Sequence, residues 1–335
     1  MSTTDGAVLG VAPSRGLALG ARLSSLMRQA IAILLALHPL GAVLVLGWMM
    51  RLMRAEAREA RRRLTRGERP RRVPVPGWLS AADDEVSGRI GRLVGAVWLN
   101  LRDGVSALVT LAAGTLPFTL LWMLSWWGGW ENSFNKGYEQ SWVGPVVGLV
   151  GVALALPLLA RLPMALAHQA VEGRMSAFFA RRHVASLIEA AGWRYVGLTL
   201  LSAIAALPLF AMQALPTFVE GWSPGFAERS AEEIETFITR YRLLATAYLI
   251  LALVALRRMA ARLHVRASLA LEANWSSRSM SSRLGAWMRQ ILIWACWFTV
   301  VAQVFVAQFV NHQWVVWLLP PFSMLPWFAP LTPAP

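Results

Sequence analysis

Apolar residues come in long runs along this chain, parted by short segments dense in arginine. Six runs stand out, at 30–50, 104–127, 142–160, 195–218, 243–256 and 291–310. A helix of roughly 17–25 apolar residues crosses a hydrocarbon core about 30 Å thick. The pattern therefore predicts an all-α protein, a polytopic transmembrane helical bundle of about six proline-kinked spans with cytoplasmic amphipathic helices. The first run, AIAILLALHPLGAVLVLGWMM, is too long for a signal-peptide core and no A-x-A-like site follows, so it reads as an uncleaved anchor. Pro39 is expected to kink it. The competing reading is a re-entrant hairpin at Pro39, which leaves five spans and moves residues 1–29 to the other side. The fifth run is the weakest, 14 residues between Arg242 and Arg257. It crosses only if its helix continues past both arginines and their side chains snorkel. After residue 310 the chain stays apolar but holds six prolines, so this tail is expected to lie on or dip into the membrane.

The chain thus divides into an outer segment 1–29, span 30–50, an arginine-rich cytoplasmic segment 51–103, a hairpin of spans at 104–160, and a cytoplasmic loop 161–194. Two spans with an acidic outer loop follow at 195–256, then a cytoplasmic loop 257–289, then the sixth span and tail at 290–335. The stretch RLMRAEAREARRRLTRGE has few helix breakers and is expected to extend the first helix, with Glu59 and Arg63 spaced for an i,i+4 pair. Arg58, Arg61, Arg62 and Arg63 make it a candidate patch for anionic lipid or a partner; the plainer reading is a solvated flank that sets orientation. PRRVPVPGW breaks the helix, and Ser80 with Asp83 fits a capping box that starts an amphipathic helix striped by Val86, Ile90, Leu93 and Val97. Segment 161–194 also mixes Met175, Phe178 and Phe179 with Arg174, Arg181 and Arg182. In the outer acidic loop, Ser230 and Glu233 fit a second capping box.

Composition agrees with the pattern. The 335 residues are 56% hydrophobic and 15% charged, whereas soluble domains carry about 25% charge. Net charge is +14. The arginines sit between apolar runs rather than on one face of a soluble fold, which argues against nucleic-acid binding. With six spans, one side holds 25 basic residues and the other 7, so the richer side is expected to be cytoplasmic. One lysine among 32 basic residues points to a GC-rich genome and hence a bacterial inner membrane.

Chemistry is sparse. There is no GxxxxGK[ST], HExxH or GxSxG, and the one cysteine, Cys296, closes no intrachain disulfide, so neither cofactor nor metal is implied. His168, His183 and His264 fall in two separate loops and do not converge in sequence. His38 is the one ionisable residue deep in a predicted span, a candidate proton or ligand site, unless its ring satisfies a carbonyl freed by Pro39. Gln213, in the fourth span, is a candidate polar contact between helices. Gly144, Gly148 and Gly151 make a small-residue stripe for close packing, within the protomer or between subunits. The polar turn GGWENSFNKGYEQSW, flanked by interfacial tryptophans, offers Lys136 and Glu139 as an outer binding point.

LVLGWMMRLMR, then RGERP, then PVPGW ahead of an amphipathic helix resembles a prokaryotic domain-of-unknown-function family of polytopic membrane proteins. Gly47, Trp48, Arg51, Arg66, Gly67, Glu68, Pro76 and Trp78 carry the likeness, over about a quarter of the chain. The resemblance implies the architecture and no catalytic residues. The expected function is a non-catalytic structural or interaction subunit in contact with anionic lipid, and with a membrane-protein partner or a second copy. The alternative is a small-molecule permease through the proline-kinked spans.

Overall fold

The computed structural model describes residues 15–67, 77–78, 89–126, 143–223, 225–226, 228–273 and 280–310. Nine α-helices and no strands occur among them: α1 (Arg15–Ala36), α2 (Pro39–Arg66), α3 (Arg89–Trp126), α4 (Val143–Leu159), α5 (Leu162–Glu172), α6 (Arg181–Ala191), α7 (Trp193–Trp222), α8 (Ala231–Glu272) and α9 (Met280–Val310). The Ser80 capping box, the 128–141 turn and the tail after 310 lie outside the described residues.

The first apolar run is not one kinked helix. The residue before a proline is pushed out of the α region by the ring; His38 is extended at φ −117° and ψ 139°, and Pro39 opens a new helix. Gly41 lets the chain return closely, since a Cβ there would lie 2.0 Å from the Leu35 carbonyl oxygen. The two helices fold back on each other. Trp78 proves the return: its indole N–H donates to the Arg28 carbonyl at 2.9 Å while its ring stacks on Trp48 at 4.9 Å. In one straight helix, residues 28 and 48 would stand about 30 Å apart. Ala32 and Ala36 of α1 therefore share a buried cluster with Val45, Trp48, Met49 and Leu52 of α2 and with Ile250 and Val254 of α8. Trp48 is fully buried under this fold.

Helix α2 is the hub and packs on α1, α3, α5 and α8. It crosses α3 backbone to backbone. A Cβ on Gly47 would fall 1.7 Å from the Asn100 oxygen, and one on Gly104 would fall 2.0 Å from the Val43 oxygen, so only glycine fits at both positions. The arginine-rich half of α2 is not a fully solvated flank. Leu52, Met53, Glu56 and Ala57 continue the buried stripe, because α5 and α8 cover that face.

The run that looked weakest as a span belongs to the longest helix. The Ser230 hydroxyl accepts from the Glu233 N–H and the Glu233 carboxylate accepts from the Ser230 N–H, a full capping box. From there α8 runs 42 residues, about 63 Å. By length and composition, α8 and the 284–301 stretch of α9 can each cross a membrane. Two bent pairs join them if each is one span: α4 with α5, at 45°, and α6 with α7, at 99°. This is a membrane protein with two to four candidate crossings among its described residues.

Candidate functional site

Polar side chains gather where α2, α3, α5 and α8 meet, at the arginine-rich ends of the apolar runs. Arg51 donates to the Asn100 side-chain oxygen at 2.9 Å, and the Asn100 amide donates to the Trp78 carbonyl at 3.1 Å. One turn on, Arg54 reaches the Ala170 carbonyl at 2.9 Å and Asp103 at 3.2 Å, with Arg102 also on Asp103. Glu56 is 1% exposed and accepts from Arg258 at 2.8 Å and Arg262 at 2.5 Å, two guanidiniums one turn apart on α8. A buried charge needs such neutralisation to be tolerated. Gln169 joins α5 to α3: its amide donates to the Ser106 hydroxyl at 3.1 Å and its oxygen accepts from Thr110 at 3.0 Å. Arg257, also buried, has its Nη1 3.9 Å from the sulfurs of Met50 and Met53, which are weak acceptors.

Beside this network three histidines converge, contrary to their spacing in sequence. His168 of α5 and His264 of α8 are buried, with Nδ1 of the first 3.2 Å from Nε2 of the second. His183, exposed in the first turn of α6, lays its ring against His168 at 4.6 Å between centroids. The helices explain the meeting. Gly173, left-handed at φ 72°, ends α5, and a 3-10 turn at Met175–Ala177 sends α6 back over α8. A hydrogen bond between two imidazoles needs one N–H and one bare nitrogen. The Nδ1 of His264 is buried with no partner. An unpaired N–H there would cost more than an unpaired lone pair, so the favoured tautomer has His264 donating from Nε2. Among the described residues no group of three histidine, cysteine or carboxylate side chains has metal-holding geometry.

The residues singled out from sequence are scattered. His38 is exposed at the α1–α2 break, where its side chain caps nothing. It therefore stands on a turn rather than deep in a span. Gln213 lies in α7, and its side chain is outside the described residues, as are Lys136 and Glu139 altogether. Of the four arginines, Arg61 pairs with Glu272 and Arg63 with Glu59, each at 3.0 Å, while Arg58 and Arg62 are exposed one turn apart. Gly144, Gly148 and Gly151 are all buried, and the Gly144 carbonyl accepts from the Ser125 hydroxyl of α3 at 2.5 Å. That contact puts the stripe at a junction within the protomer.

Gly47, Trp48, Arg51 and Trp78, which carry the family resemblance, meet at the α2–α3 crossing, and Gly67 ends α2 at φ 65°. Glu68 and Pro76 lie outside the described residues. Sequence reasoning missed Asn100, Asp103, Glu56 and the histidine trio. Glu56 had a signal: it falls on the 45, 49, 52, 56 stripe that is apolar at every other position. The trio had none. No protein-family model matches this chain, and no curated protein and no solved structure matches it.

Proposed function

We propose that this protein is a non-catalytic membrane interaction subunit whose arginine-rich end holds anionic lipid headgroups. The observation that carries the reading is the division of labour among its arginines. Arg51, Arg54, Arg258 and Arg262 are consumed internally, on Asn100, Asp103 and Glu56. Arg58 and Arg62 are exposed one turn apart; they continue the Arg51–Arg54 face of α2 and lie away from its buried Leu52–Glu56 stripe. A helix anchored on one face and cationic on the other suits an anionic leaflet, where each basic residue near the surface adds about 1 kcal/mol.

A topology follows from the α1–α2 hairpin. The apolar part of α2, residues 39–50, would reach only about 18 Å, too short to cross. The pair is therefore a re-entrant hairpin dipping in from the arginine side. Residues 1–29 then join that side, and the division of basic residues sharpens from 25 against 7 to 28 against 4. That asymmetry supports a cytoplasmic, inner-membrane placement of the arginine-rich end and five crossings in all.

A permease reading draws on the α4–α5 break, since broken helices line transport sites. Here the carbonyl at the break, on Ala160, accepts from the Tyr195 hydroxyl at 2.7 Å. The protein closes that position itself, which favours the interaction subunit.

The test is co-flotation of Arg58→Glu/Arg62→Glu protein, purified in mild detergent, with nanodisc or vesicle lipid containing phosphatidylglycerol. Retained phosphatidylglycerol per protein should fall several-fold against wild type, with zwitterionic lipid unchanged. Equal retention, or substrate-dependent flux in proteoliposomes, overturns the reading.

A further inference from the structure

We propose that His183, His168 and His264 form a proton-operated latch that fastens the α5–α6 hairpin to α8 and releases it on acidification. The geometry provides each part. The latch bond, His264 Nε2–H to His168 Nδ1 at 3.2 Å, joins two helices and holds while the pair shares a single bridging proton. His183 is exposed and its ring lies against His168, so the outer side of the pair borders solvent. At the inner end, the unpartnered Nδ1 of His264 offers a bare lone pair with no acceptor beside it. If His168 takes its own proton at Nδ1, the N–H of a cationic ring faces the N–H of neutral His264, and the bond survives only if His264 moves its proton to Nδ1, where nothing accepts it. If His264 takes one at Nδ1, a charge stands in the core with nothing to receive its hydrogen bond.

The surroundings do not neutralise such a charge. From α6 comes His183; from the end of α5, Glu172; from the turn, Arg174, which pairs with Glu172 at 3.2 Å. Helix α2 brings Arg54 to the Ala170 carbonyl, and α3 brings Asp103, already paired with that arginine. On α8 itself Arg257, Arg258 and Arg262 precede His264, and Glu56 is taken by the last two. The described residues of α4 carry no ionisable group. The carboxylates within this shell therefore have cationic partners before any histidine is protonated.

Releasing the latch would free the hairpin, since α5 and α6 both pack on α8 and the shared bond is a direct polar tie between α5 and α8. Each proton bound by the open form and not by the closed form shifts the equilibrium up to tenfold per pH unit. Between pH 7 and 5 the open population should thus rise at least tenfold.

Hydrogen exchange on the full chain in nanodiscs, at pH 7.5 and 5.5 and corrected for intrinsic rates, reads this directly. Peptides covering 162–191 should lose protection about tenfold or more on acidification, while peptides covering 243–256 keep theirs. His264→Gln keeps a hydrogen-bonding side chain without titration and should abolish the acid response. If that variant does not fold, His183→Gln, at an exposed position, should blunt the response. Equal wild-type protection at the two pH values overturns the latch, and so does an acid response that survives in His264→Gln. Protection that rises with added zinc ion, rather than falling with protons, would reassign the trio as a metal site and also overturn it.

Discussion

Replacing Glu56 by alanine, and replacing Arg258 and Arg262 together by alanine, remove the same two contacts but leave different remainders. Glu56 is 1% exposed, whereas the side chains of Arg258 and Arg262 are 23% and 45% exposed. Without Glu56, both guanidiniums can turn toward water, and the loss is that of charge-assisted hydrogen bonds, about 1.5–3 kcal/mol. Without the arginines, a carboxylate is stranded where water does not reach, and stranding a buried charge costs about 3–5 kcal/mol. The double arginine variant should therefore be the less stable by roughly 1–2 kcal/mol. Adding Glu56→Ala to it should restore part of the loss, because the triple variant has no buried charge left to solvate. Equilibrium unfolding in mixed micelles, followed by circular dichroism, measures all three differences in one series. If Glu56→Ala alone costs as much as the double variant, or if the triple variant is the least stable, the three residues do not form a one-sided buried bridge.

Two further outcomes follow, one from the fold and one from the proposed topology. Gly47→Ala puts a methyl 1.7 Å from the Asn100 oxygen, so α2 and α3 must separate and stability should fall by about 1–3 kcal/mol or more; Gly95→Ala, in open space on α3, should be neutral or slightly stabilising in the same melts. In a Cys296→Ala background, a cysteine at Ser133 should react with an impermeant maleimide added to intact cells and one at Ser14 only after lysis; labelling of both from outside would refute the hairpin topology.

The apolar runs made the helical membrane class legible, because a continuous greasy segment has few alternatives in water or lipid. The helix boundaries were less so. Pro39 was visible, but whether it bends or ends a helix depends on Trp78, a residue far along the chain that bridges Arg28 and Trp48. The run at 243–256 is only 14 residues long in sequence because Arg242 and Arg257 bound it. The capping box at Ser230 and a sequence free of glycine and proline carry the helix straight through them. The site was least legible. Asn100, Asp103 and Glu56 gain meaning only from arginines 49 to 206 residues away. The histidine pair, 96 residues apart, is made by a turn at Gly173 that no local rule ties to His264.

Helix α8 has a mechanical consequence. It is a single strut about twice the hydrocarbon thickness in length, without a glycine or proline from Ala231 to Glu272. One end is the acidic turn after Ser230, and the other carries Arg258, Arg262 and His264. A rod with no joint cannot absorb a tilt locally, so any load on the acidic end arrives at Glu56 and the histidines as movement of the same body.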